Sequence, residues 1–454
     1  MTKPDRKIEP KRLRGFRDHL PHTMNVRFSI IDIIRKVASD AGFHFVQTPA
    51  LEYLEVLLGQ GSEETDKQVY SFKDHGGRDV GLRFDLTVPF ARFVAEHQND
   101  LNFPFKRLQI GDVWRGENTQ KGRYREFCQC DLDIIGVNSL AADVEVLLCI
   151  YNILSQVDFG SFTILIGHRP ILSALIRKAF PNITPEGEIQ ALIALDKLEK
   201  IGVDGIVSLL TSISGCSTEG SKELIKFVTT KTNDKETDIS FLEKTLATDA
   251  HIRPEIERLK NTFTLLKNQV NPNLGKLKLD ISIARGLSYY NGIVYETFID
   301  SLPGFGSVSS GGRYNDLASR FMNRELPGVG GSVGLDRLIA GLEELGKIPV
   351  TPPAVKETVY VAIATDDAVS YAFSMAERLR KAGIKTDIGL APGKLSQQFK
   401  YANRASYPYV VTVGSAEQES HTFSLKYMAS GEEEKNLPVD QIVDKIKNLF
   451  YSSK

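Results

Sequence analysis

Two strand-like segments joined by a polar loop constrain the fold of this chain more than any other feature. Lys106 to Arg115 and Tyr124 to Ile135 are strand-like, and Gly116 to Arg123 between them is polar. Two such runs separated by a glycine-containing loop are typical of a hairpin. The sequence therefore predicts a long antiparallel hairpin over residues 106–135.

The second strand of this hairpin has a polar face. Successive side chains of a strand point to opposite sides of the sheet. One side therefore carries Phe127, Gln129, Asp131 and Asp133, and the other carries Cys128, Cys130, Leu132 and Ile134. Three arginines surround the connecting loop: Arg115, Arg123 and Arg125. Guanidinium groups offer a fixed fork of donors that matches phosphate oxygens, so the hairpin is predicted to bind a polyphosphate.

The length of the chain requires more than one domain. Single cores stop growing at about 250–300 residues, whereas this chain has 454 residues. Its 42% hydrophobic and 25% charged residues are ordinary for a globular protein and exclude a disordered or fibrous chain. The net charge of −1 gives no overall attraction to polyanions, so a nucleic acid would have to bind a local patch.

Composition changes along the chain indicate the domain boundaries. We expect an antiparallel sheet flanked by helices over residues 1–345, interrupted by a helical insertion at about 170–271. A proline-containing segment, 346–358, is typical of a linker. Strands and helices alternate over 359–454, which favours a separate small α/β domain. The predicted fold class is α+β.

Cysteine usage and hydropathy bear on the compartment. The chain has four cysteines at irregular spacing, Cys128, Cys130, Cys149 and Cys216, which fit a reducing environment better than a disulfide framework. No pair has the spacing of a zinc site. No run of about 18 apolar residues occurs, so we expect a cytoplasmic protein with no membrane-spanning segment.

Five motifs make this chain resemble the class II aminoacyl-tRNA synthetases in their histidyl form. Arg115-Gly-Glu-Asn and Gly122-Arg-Tyr-Arg-Glu-Phe-Cys-Gln-Cys-Asp-Leu-Asp133 resemble the second class II signature. The other matches, in the family's order, are Leu82-Arg-Phe-Asp-Leu-Thr-Val-Pro89, Ala284-Arg-Gly-Leu-Ser-Tyr-Tyr290, Ser310-Gly-Gly-Arg-Tyr314 and Gly334-Leu-Asp-Arg337. The motifs around Arg285 and Gly312 resemble the histidyl subgroup in particular, and the resemblance covers nearly the whole chain.

The resemblance implies a fold and an activity. The fold would be a class II catalytic domain with a helical insertion, followed by an anticodon-binding domain. The activity would be ATP-dependent formation of histidyl-adenylate, release of pyrophosphate, and transfer of histidine to the 3′ end of tRNA(His). The implied ligands are L-histidine, ATP with Mg²⁺, and tRNA(His), and the implied assembly is a homodimer.

The resemblance also implies a role for individual residues. For ATP, Arg115 would contact the α-phosphate and Phe127 would stack on adenine. Arg337 would cover the other face of adenine and reach the γ-phosphate, for which Arg123 is a second candidate.

For histidine, the α-ammonium group would be bound by Asp85, Thr87 and Gln129, with Leu86 between the first two. Asp133 and Tyr290 would hold the imidazole, and Tyr289 would line the same pocket. Arg285 would bridge the substrate carboxylate and the α-phosphate, so Arg285 and Arg115 are the implied catalytic residues.

Two other classes of protein fit parts of the pattern. One is a regulatory subunit of ATP phosphoribosyltransferase, which resembles this family but has no synthetase activity. Such proteins usually lack the C-terminal module and an intact motif around Arg285, and this chain has both. The other is a class II enzyme for a different amino acid, which Asp133 and the adjacent Tyr289 and Tyr290 disfavour.

Overall fold

The hairpin forms the centre of the largest sheet. In this computed structural model, which describes residues 8–58, 67–230, 237–283, 289–348 and 353–451, its strands are β5 (Phe105–Trp114) and β6 (Glu126–Ile135). They pair antiparallel over their full length, with Phe105 opposite Ile135 and Trp114 opposite Glu126. The predicted hairpin is therefore present, and its strands end within two residues of the expected positions.

Six further strands complete this sheet. They are β1 (His44–Phe45), β7 (Phe162–His168), β8 (Gly275–Leu279), β9 (Ile293–Ile299), β10 (Ser309–Tyr314) and β11 (Gly328–Gly334). The strand order is β1-β5-β6-β11-β10-β9-β7-β8. The pairs are antiparallel except for β1 with β5 and β7 with β8, which are parallel. β6 and β11 thus lie side by side in the middle of the sheet.

A second, three-stranded sheet precedes the hairpin in the chain. It contains β2 (Leu51–Tyr53), β3 (Ser71–Lys73) and β4 (Asp79–Leu82), in the order β2-β4-β3. The helices of this N-terminal part are α1 (Pro21–Asp40), α2 (Leu54–Leu57), α3 (Thr87–Glu96) and α4 (Leu140–Leu154). α4 begins at Ser139, whose side chain accepts a hydrogen bond from the Ala142 amide and satisfies one free donor of the first turn.

Six helices connect the parallel strands β7 and β8. They are α5 (Arg169–Ala179), α6 (Pro185–Leu195), α7 (Leu198–Thr211), α8 (Thr218–Thr229), α9 (Ile239–Thr245) and α10 (Arg253–Lys267). This is the helical insertion that the Leu- and Lys-rich sequence predicted. After β11 the chain continues into α11 (Leu335–Glu344).

The C-terminal part has its own sheet and core. Its strands are β12 (Thr358–Ile363), β13 (Lys385–Ile388), β14 (Tyr409–Val413), β15 (Phe423–Tyr427) and β16 (Glu433–Leu437), in the order β13-β12-β14-β15-β16. Its helices are α12 (Pro353–Lys356), α13 (Val369–Lys381), α14 (Leu395–Arg404), α15 (Ser415–Ser420) and α16 (Val439–Tyr451). β12 pairs parallel with both of its neighbours, as expected for strands joined by helices.

The chain divides into two compact units, Met1–Asp18 with Ser29–Lys347 and His19–Phe28 with Ile348–Lys454. A large, mostly antiparallel sheet with flanking helices in the first unit, and a separate sheet in the second, confirm the predicted α+β class.

Three segments whose sequences are strand-like, 278–283, 289–299 and 306–310, form strands at shifted positions. β8 ends at Leu279 because Asp280 to Ile283 form a turn. β9 begins at Ile293 and β10 begins at Ser309. β7 was not predicted at all.

Candidate active site

The polar face of β6 lies over the middle of the large sheet. Cross-strand register places Arg107 and Gly330 on either side of Asp133. Residues that face each other across paired strands point to the same side of a sheet. The predicted alternation on β6 is therefore matched by the neighbouring strands, and its acidic side chains share one surface with Arg107.

Asp133 is held by two buried partners. It is 2% exposed, its Oδ2 lies 3.0 Å from an Arg107 guanidinium nitrogen, and its Oδ1 accepts a hydrogen bond of 2.5 Å from the Tyr314 hydroxyl. Burial raises the pKa of Asp133, while Arg107 and the Tyr314 hydroxyl lower it. The carboxylate predicted to hold the imidazole is thus fixed in place by the protein.

Arg107 contacts several polar groups on the acidic face. Its side chain is fully buried and stacks on the Phe90 ring at 4.3 Å from the ring centre. It donates to the Gln109 side-chain oxygen at 3.0 Å and to the Leu86 carbonyl at 3.1 Å. Leu86, predicted as a substrate-pocket residue, therefore contributes a carbonyl that Arg107 already uses.

The Gln129 side chain carries a hydrogen-bond acceptor that no described residue uses. Its amide nitrogen donates to the Ser332 hydroxyl at 3.0 Å. Its amide oxygen is buried and has no hydrogen-bond partner among the described residues. A buried acceptor without a partner costs about 1–3 kcal/mol, which a bound ammonium group would offset.

Two of the three residues predicted to bind the α-ammonium group, Asp85 and Thr87, meet at the start of α3. Asp85 is 1% exposed; its Oδ1 accepts the Val88 amide hydrogen at 3.1 Å, and its Oδ2 accepts from the Tyr289 hydroxyl at 3.3 Å. The Thr87 side chain also hydrogen-bonds with Tyr289. Burial raises the pKa of Asp85, while the Val88 amide and the charge of Arg115 lower it. Asp85, Thr87 and Tyr289 therefore form one contiguous polar group.

Glycines leave the room that these side chains occupy. A β-carbon at Gly330 would lie 1.9 Å from Asp133 Oδ1, and one at Gly312 would lie 2.9 Å from the Tyr290 ring. Tyr290 packs edge-on against Tyr289 at 4.9 Å between ring centres. The glycine-rich strands β10 and β11 thus admit the acidic and aromatic side chains that surround the pocket.

Arg115 and Phe127 form the other end of the hairpin face. The Arg115 guanidinium lies 5.1 Å from the centre of the Phe127 ring, and its Nε donates to the Phe84 carbonyl at 2.9 Å. The arginine and the aromatic ring predicted to bind ATP are therefore in contact.

The remaining arginines of the hairpin have protein partners. Arg123, partly exposed, forms an ion pair with Glu117, and Arg125 donates to the Glu117 carbonyl at 3.2 Å. Contrary to expectation, the three arginines do not converge on one point. Arg123 is paired with Glu117 and would have to release it to bind a phosphate. Arg337 donates to the Phe305 carbonyl at 2.7 Å and lies beside Gly122 of the hairpin loop.

Arg285, the principal predicted catalytic residue, lies outside the described residues. The two tyrosines that follow it in its motif, Tyr289 and Tyr290, are described and reach the pocket.

Three functional side chains were missed by sequence reasoning. Tyr314 belongs to a quoted motif but received no role, and its hydroxyl holds Asp133. Arg107 would have emerged from the hairpin register, which sets it opposite Asp133. Asp336, in the last motif, accepts the Cys128 amide hydrogen at 2.6 Å and so anchors β6 from α11; no local signal in the sequence predicts that bond.

Two general features of the described residues bear on the expectations for metals and membranes. Within the described ranges no group of three or more His, Cys, Asp or Glu side chains could hold a metal ion. The helices in that part of the chain are all too short or too polar to cross a bilayer.

Known proteins share this architecture over the whole chain. A family model described as histidyl-tRNA synthetase matches residues 15–338, and one described as anticodon binding domain matches residues 358–449. Histidine–tRNA ligases of Rhodopirellula baltica and Helicobacter pylori are each 41% identical to this chain, over 94% and 93% of it and 95% of their own length.

Solved structures agree with the family models. The histidyl-tRNA synthetase of Nostoc sp. PCC 7120 has a TM-score of 0.82 and 31% identity, covering 98% of this chain and all of its own. A Bacillus halodurans protein described as an ATP phosphoribosyltransferase regulatory subunit/histidyl-tRNA synthetase has a TM-score of 0.72, covering 90% of this chain and all of its own. At 22% identity, this likeness shows only that the two proteins share a fold. With a family model over more than half of its length and relatives well above 30% identity, the chain belongs to the histidyl-tRNA synthetase family.

Proposed function

We propose that this chain activates L-histidine with ATP and transfers it to the 3′ end of tRNA(His), as an aminoacyl-tRNA ligase of cytoplasmic translation. The observation that carries the proposal is the polar face of β6. It presents Phe127, Gln129 and Asp133 in sequence, next to the polar group at the start of α3. One strand can therefore serve the nucleotide and the amino acid together.

Histidine would bind across the centre of this face. The α-ammonium group would lie between the Asp85 carboxylate, the Thr87 hydroxyl and the open amide oxygen of Gln129. An anion with neutral acceptors suits a cationic donor. The ring would lie further along β6, where Asp133 is fixed by Arg107 and Tyr314 and where the Tyr290 ring closes the side.

ATP would bind at the Arg115 end of the hairpin. Phe127 offers a ring for adenine, and Arg115 beside it offers a guanidinium for the α-phosphate. Arg337 and Arg123 would serve the outer phosphates, Arg123 by exchanging Glu117 for a phosphate. In this role the arginines stabilise charge that grows during transfer.

Mg²⁺ would arrive with the nucleotide. This ion usually keeps several waters and takes only one or two carboxylates besides phosphate oxygens, so it needs no three-residue cluster. Glu296, mostly buried on β9, lies in register with Ser310, Ser332 and Asp131 and so faces the same side of the sheet. Glu296, which accepts a hydrogen bond from the Ser307 hydroxyl at 3.4 Å, would turn its carboxylate to the ion, whose charge neutralises phosphate oxygens.

The chemistry would need no nucleophile from the protein. The histidine carboxylate attacks the α-phosphorus, pyrophosphate leaves, and the terminal hydroxyl of the tRNA then attacks the mixed anhydride. Positioning and charge stabilisation can supply most of the rate. Arg285 would bridge the attacking carboxylate and the α-phosphate.

Selectivity follows from the buried polar groups. An apolar amino acid in this pocket would leave Asp133 and its partners without a ring N–H, and sites built to bind such groups reject analogues that lack them by about 10⁴-fold or more. An editing site would be unnecessary.

The C-terminal unit would bind the anticodon of tRNA(His), and the family match over residues 358–449 supports this assignment. We also infer a homodimer. Exposed apolar side chains on β1 and β2 of the catalytic unit, Phe45 and Tyr53, support a partner that covers these strands.

Amino-acid-dependent exchange of labelled pyrophosphate into ATP tests the proposal. The purified chain should catalyse exchange with histidine and not with the other amino acids at the same concentration. Exchange with another amino acid alone would refute the substrate assignment. Exchange with none of them would favour a regulatory subunit, which would then be tested for binding to ATP phosphoribosyltransferase.

A further inference from the structure

Asp131 is a buried acid to which the proposed chemistry gives no role. It lies between Gln129 and Asp133 on the polar face of β6 and is 3% exposed. Its Oδ1 is buried and has no hydrogen-bond partner among the described residues. An ionised group in this state is costly unless something pairs with it.

The nearest cation, the Arg107 guanidinium, bonds mainly to other groups. The nearest Arg107 nitrogen lies 4.0 Å from Asp131 but 3.0 Å from Asp133. That guanidinium also donates to Gln109 and to the Leu86 carbonyl. Asp131 keeps the Ser332 hydroxyl as a hydrogen-bond partner, and its Oδ1 stays unpaired on the polar face of β6.

The charges around Asp131 do not balance. Of the residues that the structure describes, the titratable groups that face it from the surrounding elements are Arg83, Asp85, Arg107, Asp133, Tyr289 and Tyr290. Arg83 is turned away to the carbonyls of Thr48, Pro49 and Asp112.

Among the described residues three carboxylates, those of Asp85, Asp131 and Asp133, therefore meet one fully buried arginine, and the α-ammonium group of histidine would add one positive charge. In the proposed complex Arg115 and Arg285 are offset by the α-phosphate and the substrate carboxylate, so one negative charge remains.

The missing positive charge is a proton. Burial raises the pKa of Asp131 to about 7, with the charge of Arg107 opposing and that of Asp133 adding to the effect. A free imidazole titrates at about 6.5. Each group alone is therefore mostly deprotonated at about pH 8, and a proton shared between them would be stabilised by both.

We propose that Asp131 is a further histidine-binding residue, and that its carboxylate and the imidazole ring of bound histidine share one proton taken up from solvent. Only this proton moves: its bond to the buffer acid breaks, a bond to the carboxylate oxygen or the ring nitrogen forms, and the conjugate base of the buffer is left in solution. The inference rests on the proposed function, since it needs histidine in this pocket. It makes the pocket selective for a side chain that is a base as well as a hydrogen-bond donor.

The sign of the linkage is fixed by the two groups. The shared proton has a higher pKa in the complex than either group has alone, so its contribution to binding is complete at low pH and is lost as the pH rises. Because binding takes up one proton, the affinity for histidine should fall tenfold for each unit of pH between about pH 8 and pH 9.

Titration calorimetry measures this proton directly. Histidine is titrated into the intact protein saturated with a non-reactive ATP analogue, adenosine 5′-(α,β-methylene)triphosphate, at about pH 8 in two buffers of different ionisation enthalpy, and the difference in heat gives the number of protons taken up. We expect a value approaching one for the wild type and near zero for Asp131→Asn. Asp112→Asn is the matched control, because Asp112 is an exposed carboxylate on the other face of the same hairpin; it should keep the wild-type uptake.

Two results would overturn the inference: no proton uptake by the wild type, or equal uptake by the wild type and Asp131→Asn. If Asp131→Asn does not fold, the affinity of the wild type for histidine from about pH 8 to pH 9 decides, and a flat profile refutes the shared proton. Failure of the proposed function looks different, since the wild type would then neither bind histidine nor catalyse histidine-dependent exchange.

Discussion

Adding one methyl group at Gly330 should displace the carboxylate that selects histidine. The new β-carbon would lie 1.9 Å from Asp133 Oδ1 and 2.9 Å from the Leu132 carbonyl. Ordinary contact begins at 3.4 Å, so the carboxylate must move by about 1.5 Å. That movement breaks the Tyr314 hydrogen bond, and a misplacement of about 1 Å in a site of this kind costs about 100-fold in rate. We expect Gly330→Ala to lower kcat/KM for histidine by about 100-fold.

The effect should be confined to the amino acid. Pyrophosphate exchange at varied histidine and varied ATP gives both constants, and KM for ATP should change by less than about threefold, because Phe127 and Arg115 lie at the other end of the face. Gly334→Ala is the matched control on the same strand, since its β-carbon would meet only contacts of 3.4 Å. A folded Gly330→Ala protein with wild-type kcat/KM for histidine would refute the role of Asp133.

Three further outcomes are expected. Arg285→Ala should slow adenylate formation by orders of magnitude while histidine affinity falls less, and equal losses in single-turnover and binding measurements would show a binding residue only. Arg107→Met leaves Asp133 without its cation and should destabilise the catalytic unit by about 3–5 kcal/mol in urea unfolding; a loss below about 1 kcal/mol would contradict that pairing. Burial raises the pKa of Cys149 to about 12, so iodoacetamide at about pH 8 should label the partly exposed Cys216 first, as judged by peptide mass spectrometry, and faster labelling of Cys149 would show that helix α4 opens.

The hairpin was predictable because its signals are local. Strand alternation placed Gln129, Asp131 and Asp133 on one face, and the antiparallel register with β5 bears this out. The helix before it, α3, also has a local signal, since Asp85 just precedes its first turn and accepts the Val88 amide hydrogen there. Family motifs then predicted which of these residues bind the substrates, and that assignment stays a prediction.

The strands that complete the sheet were harder to predict because their patterns are weak. β7, Phe162–His168, is buried on one side and partly buried on the other, and it carries a short apolar run that periodicity cannot distinguish from a helix. β10 and β11 are glycine-rich, and two adjacent glycines indicate a turn in a sequence. Here Gly311 and Gly331 instead lie within paired strands, where each would clash with the Tyr295 hydroxyl if it carried a β-carbon.

The glycines and the acids of this sheet depend on each other. Glycine in a strand costs stability because it orders a flexible residue and packs no side chain, and a buried carboxylate costs more unless it is paired. Both costs arise at Gly330. Because this residue has no side chain, Asp133 can lie beside Arg107 and Tyr314. On the opposite face the Tyr295 hydroxyl donates to the Gly330 carbonyl at 2.9 Å and holds the bare backbone in register. A sequence shows the glycines, the acids and the tyrosines separately; only the register shows that each is required by the others.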